Sequence, residues 1–172
     1  MSRQRIRKLA HKLIEKYNTS NPYELCDYLG VPIYYMDLGK NILGFRSVLN
    51  RAPMLLLNTR NSEEEEYIVC IHELGHHCCG HTNNADQLTR NNMRFIAQGD
   101  EYEANCFMIE ILLYGVNLAE YPTKECLLRS CGIPSWAERY VDWKYLEETA
   151  NFDSYNSYYR SEEHTSELQS LL

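Results

Sequence analysis

The chain has 172 residues, 44% of them hydrophobic, and a formal net charge of −7. That length suits one domain with a core of its own. The acidic balance, without a basic stripe or an Arg-rich helix, argues against direct nucleic-acid binding, and no apolar run approaches the roughly 18 residues of a membrane span.

The basic N-terminus leads into an amphipathic pattern, not the apolar run of a signal peptide, so a cytoplasmic protein is expected. Seven cysteines (Cys26, Cys70, Cys78, Cys79, Cys106, Cys126, Cys131) then read as free thiols in a reducing compartment. They form no C-x-x-C pair, and most fall on apolar helix faces, where Cys acts as a small hydrophobe.

Ile6, Leu9, Ala10, Leu13, Ile14 and Tyr17 recur at helical spacing and predict an amphipathic helix, with His11 off the stripe and solvated. A short helix follows from Pro22 to Leu29, capped by Asn21 and closed by Gly30. The period then changes. Val31 to Met36, Ile42 to Val48 and Met54 to Asn58 read as three strands of an antiparallel meander, with Gly44 at a bulge. Tyr34 and Tyr35 are read as sheet packing.

Ser62 and Glu65 form the capping box of the next helix. It carries His72-Glu73-x-x-His76. Four residues turn about 400°, so both imidazoles stand on one face and can reach one metal ion. Glu73 lies about 100° around and can take a proton from a water held there. Gly75 leaves room beside the site. His77 should point elsewhere, and His81 lies beyond the helix end at Gly80.

Thr82 to Asn92 reads as a polar loop or frayed helix over the site. Another helix opens at Asp100, with Ala104, Phe107, Met108, Ile111 and Leu112 as its apolar stripe. Glu103 has two readings. Asp100 caps the helix and Glu103 closes the capping box, or Glu103 is the third metal ligand. The ligand reading is preferred, because a zinc site needs a third ligand; Glu101 is the fallback. A helix from Pro122-Thr123 to Gly132 follows, and a last one opens at Pro134 with Ser135 and Glu138 as its capping box. Trp136, Tyr140, Trp143 and Leu146 dock that last helix. Residues 151–172 differ in character and are expected to be a disordered tail. Within them, residues 160–172 resemble the translation of a sequencing-library adapter.

Several features in order resemble the ImmA/IrrE family of metallo-endopeptidases, phage and mobile-element members included. They are a helix pair ending Leu29-Gly30-Val31-Pro32, Ile71-His72-Glu73-Leu74-Gly75-His76-His77, Glu101-Tyr102-Glu103-Ala104-Asn105-Cys106-Phe107 and Ile133-Pro134. The resemblance spans residues 5 to 148 of an expected 1–150 domain. It implies an α+β, zincin-like fold, zinc on His72, His76 and Glu103, and Glu73 as general base. It further implies cleavage of a helix-turn-helix repressor encoded nearby, which derepresses a prophage, mobile element or stress regulon. Leu112-Leu113-Tyr114-Gly115 stands where members often have Leu-Leu-Met-Pro, which alters the expected wall of the substrate cleft. A rival reading is a non-catalytic, zinc-stabilised module that binds a repressor or toxin partner. It needs Cys78, Cys79 or His81 as a fourth ligand.

Overall fold

A computed structural model describes residues 1–82, 88–90 and 96–150 of the chain. The tail from residue 151 and most of the polar loop after Thr82 lie outside the described residues. The described residues divide into two compact units, Met1–Tyr114 with Leu128–Val141, and Gly115–Leu127 with the chain from Asp142.

In the first unit, the amphipathic stripe forms α1 (Arg3–Tyr17), burying Ile6, Ala10 and Ile14. The second helix, α2 (Pro22–Leu29), has its Asn21 cap, its Pro at the first position and Gly30 in the left-handed region at its end. These are local signals, and they hold locally.

The strands do not form the expected meander. β1 (Ile33–Met36), β2 (Ile42–Leu49) and β3 (Ala52–Asn58) join β4 (Leu88–Thr89) in a sheet of order β1-β3-β2-β4. β1 lies parallel to β3, and β2 is antiparallel to both β3 and β4. A two-residue turn at Asn50-Arg51, both at positive φ, makes the β2–β3 hairpin. Asn58 explains why β1 leaves that hairpin. Its buried amide donates to the Gly39 and Ile42 carbonyls at 2.8 and 2.6 Å and accepts from Leu38 N–H at 3.2 Å. One side chain thereby ties down the β1–β2 connection and keeps the strands apart. Tyr34 and Tyr35 are half-exposed on the edge strand β1 and not packed within the sheet, and Tyr35 Oη donates to Glu66. The expected bulge is present as a register shift between Ile42 and Gly44. A Cβ on Gly44 would lie 2.7 Å from Val69 Cγ1, so the glycine also lets the sheet meet the next helix.

That helix is α3 (Glu63–Cys78), opened by the Ser62–Glu65 capping box with both reciprocal bonds made. It packs against α2, β2, β3 and α4 (Asp100–Leu112). Every residue from Val69 to His76 is buried, so this helix has no solvent face there. The result is an α+β fold with the His-Glu-x-x-His helix at its centre. Gly75 makes room for α4 and not for a ligand, because a Cβ there would meet Ala104 O at 3.0 Å and Phe107 Cδ1 at 3.2 Å.

α1 holds α4 through a buried ion cluster. Arg3 Nε and Arg7 Nε donate to the two Glu110 oxygens at 2.9 Å each. His11 is not solvated as expected; it stacks edge-on against Tyr114 and lies 3.6 Å from Glu110. Burial opposes ionisation of Glu110, but hydrogen bonds from His11 and Arg7 and the two arginine charges hold its pKa below the ordinary carboxylate range. A carboxyl with a lowered folded pKa stabilises the fold above its unfolded pKa, and that stability is lost as pH falls through the folded value. Glu110→Gln should therefore lower stability at pH 7 by about 3 kcal/mol, since it strands two arginines. Urea titrations should show the gap between variant and wild type closing as the pH drops below the ordinary glutamate range.

A 3₁₀ turn at Ser135–Tyr140 replaces the start of the expected last helix. No side chain caps it. The helix itself covers residues 143–150, with Asp142 Oδ1 accepting from Tyr145 N–H. Tyr140 and Leu146 are buried, whereas Trp136 and Trp143 are half-buried. In the second unit, Lys124 Nζ pairs with Glu147 at 3.0 Å and lies over the Trp143 ring. α5 (Lys124–Ser130) starts at a Thr123 cap. No helix among the described residues is long and apolar enough to cross a membrane.

Candidate metal centre

α3 stacks His72 and His76 one turn apart, with their Nε2 atoms 3.1 Å from each other. α4 supplies the third side. Glu101 Oε2 lies 3.2 Å from His72 Nε2, and Glu101 Oε1 lies 3.2 Å from His76 Nε2. The ligand atoms of His72, His76 and Glu101 all fall within 4.8 Å of one another.

Glu103 does not join them. Its Oε2 faces His81 Nε2 at 3.2 Å, and its Oε1 pairs with the Met1 ammonium. The reason is helix register. Gly99, not Asp100, is the N-cap of α4, with φ 84° and no side-chain cap. Glu101 and Asn105 are then four apart and share the face toward α3, while Glu103 is about 200° around from Glu101. The geometry brings the fallback residue Glu101, and not Glu103, to the imidazoles.

The donors fit a divalent cation. His72 Nδ1 is 2.9 Å from Asn105 Oδ1, an atom that only accepts, so Nδ1 carries the hydrogen and Nε2 keeps its lone pair. Two imidazoles and a carboxylate thus converge in a buried space where their electron pairs repel unless a proton or cation lies between them. Histidine nitrogen and carboxylate oxygen are also a common zinc donor set. The electrostatics make the same demand. Burial opposes charge on His72, but Glu101 and Glu73 overcome it and raise its pKa. Burial likewise opposes ionisation of Glu101, yet the hydrogen bonds and charge that His72 and His76 offer when a proton occupies the site hold its pKa below the ordinary range.

Glu73 is fully buried. Its Oε2 accepts from the Arg46 backbone N–H at 2.8 Å, while its Oε1 has no hydrogen-bond partner among the described residues. Burial raises its pKa against the charges of His72 and His76, which makes it a stronger proton acceptor.

Residues 26–129 match the family described as IrrE N-terminal-like domain, a peptidase family. The chain belongs to that family. It is also 31% identical over 151 residues to "Uncharacterized immunity region protein 2" of Bacillus phage phi105, covering 86% of this chain and 93% of the relative. The four-stranded sheet and its helices are consistent with a zincin-like domain of this family.

Three groups of this IrrE-like peptidase were not assigned from sequence. Asn105 orients His72, His81 meets His76, and the Arg46 backbone holds Glu73. Asn105 was findable from its i+4 spacing to Glu101. The other two come from a turn and a strand whose approach no periodicity reports. His77 stays outside both groups of converging ligands, half-buried, with burial and the Arg46 charge lowering its pKa.

Proposed function

We propose that this peptidase is a zinc-dependent endopeptidase, with His72, His76 and Glu101 as the ligands and Glu73 as the general base. The observation that carries the reading is the buried Glu73 Oε1, unbonded among the described residues, on the same stretch of α3 as His72 and His76, which converge with Glu101 of α4. Three protein donors leave one side open, as in catalytic zinc sites; structural sites fill four positions. Cys79 and His81, which a structural site would recruit, converge with Glu103 in a separate group.

Zinc held there supplies Lewis acidity toward a water and a peptide carbonyl. The protein's part is the proton. Glu73 Oε2 is pinned by the Arg46 N–H, which leaves Oε1 to take a proton from the attacking water. The same carboxyl can then return it to the leaving amine, so the residue ends as it began. Asn105 keeps the His72 Nε2 lone pair turned inward throughout.

The substrate in this reading is a helix-turn-helix repressor encoded nearby, cleaved in the cytoplasm to derepress a prophage, mobile element or stress regulon. The phage relative's description as an immunity region protein supports a regulator of that kind. Zinc-loaded protein incubated with the adjacent regulator should cleave it at a discrete bond, stop on chelation and resume when zinc returns. A folded, zinc-loaded protein that leaves the regulator intact would overturn the substrate.

A further inference from the structure

His81 and Glu103 lie outside the proposed ligand set, yet both are drawn tightly against it. α3 ends in a Schellman turn. The Gly80 N–H bonds to the His77 carbonyl and the His81 N–H to the His76 carbonyl, both at 3.1 Å, with Gly80 at φ 77°. That turn folds the chain back so that the His81 ring meets the His76 ring, centroids 5.0 Å apart and planes at 70°. The Nδ1 atoms of the two rings are 2.9 Å apart, and His81 Nε2 is 3.2 Å from Glu103 Oε2. His81 is buried at 7% exposure, and Asp100 Oδ1 approaches its Nε2 at 3.7 Å.

Proton accounting along this line has one solution when His76 binds metal. His76 then uses its Nε2 lone pair, so its hydrogen is on Nδ1 and must be donated. His81 Nδ1 must accept it, which puts the His81 hydrogen on Nε2. That hydrogen points at a carboxylate, the one group there that only accepts. We infer that His81 and Glu103 are positioning residues, a two-member relay that fixes the tautomer and ring orientation of His76. The inference rests on His76 being a ligand, as proposed above. It also accounts for the two groups of donors. Cys79, His81 and Glu103 converge within 4.8 Å and could in principle hold a second ion. A metal on His81 Nε2 would shift that ring's hydrogen to Nδ1, where it would face the His76 Nδ1–H across 2.9 Å with no acceptor between them. The relay and a second ion therefore exclude each other.

The test uses the full chain and zinc itself. Chelator competition should show His81→Leu binding zinc about 10–100-fold more weakly, the usual cost of losing an outer partner of a ligand. His81→Gln should stay within a few-fold of wild type, because its amide oxygen accepts from His76 and its amide nitrogen donates to Glu103. Nitrogen-edited NMR of the zinc-loaded protein should show a protected His76 Nδ1–H in wild type and His81→Gln, and its loss in His81→Leu. Cys79→Ser should change neither affinity nor stoichiometry. Wild-type zinc affinity in a folded His81→Leu would overturn the relay. Two zinc ions per chain, falling to one in Cys79→Ser, would overturn it in favour of a second site. Zinc retained by His76→Ala would instead refute the metal centre, which separates the two failures.

Discussion

Glu101→Gln should fold normally and lose zinc at concentrations where wild type is fully loaded. The carboxylate bridges both Nε2 atoms at 3.2 Å, and an amide of the same shape lacks the anionic oxygen. Loss of a direct ligand should weaken binding by more than the roughly 10–100-fold typical of outer partners. Glu103→Gln is the matched control. Its amide oxygen can still accept from His81 Nε2, so zinc affinity should fall by a few-fold at most. Metal analysis of the two variants after dialysis against a weak chelator decides the matter. If Glu103→Gln loses zinc and Glu101→Gln keeps it, the ligand is Glu103, as the ligand reading of the sequence preferred, and α4 presents the other face to the imidazoles.

Proteolysis should fail in Glu73→Gln while zinc content stays at the wild-type level. One Glu73 oxygen accepts from a backbone N–H, and the other is buried without a hydrogen-bond partner among the described residues. Glutamine preserves the first contact and cannot accept a proton at the second. A positioned general base commonly contributes about 10²–10⁴-fold, so cleavage of the cognate regulator should drop by at least that factor. Cleavage at the wild-type rate by a fully metallated variant would remove Glu73 from the mechanism. Loss of zinc in the same variant would make it a structural support of α3.

Much of the architecture was legible in short windows. The Asn21 cap, the Gly30 stop, the Ser62–Glu65 box and the i, i+4 pair of His72 and His76 depend on neighbours within a turn, and each is found where its spacing predicts. Strand order was not legible, because parallel pairing of β1 with β3 depends on Asn58 reaching back some twenty residues to Gly39 and Ile42. The acid that meets the two imidazoles was hidden for a related reason. Glu101 and Glu103 both open α4, both are acidic, and either satisfies a motif read along the chain. What separates them is the rotation of α4 about its own axis. Close packing of Ala104 and Phe107 against Gly75 sets that rotation, turning Glu101 and Asn105 toward the imidazoles and Glu103 toward His81. The sequence by itself determined which helix carries the paired histidines and Glu73. Only the tertiary structure decided which acid meets them, since periodicity constrains faces within a helix and not the angle at which two helices dock.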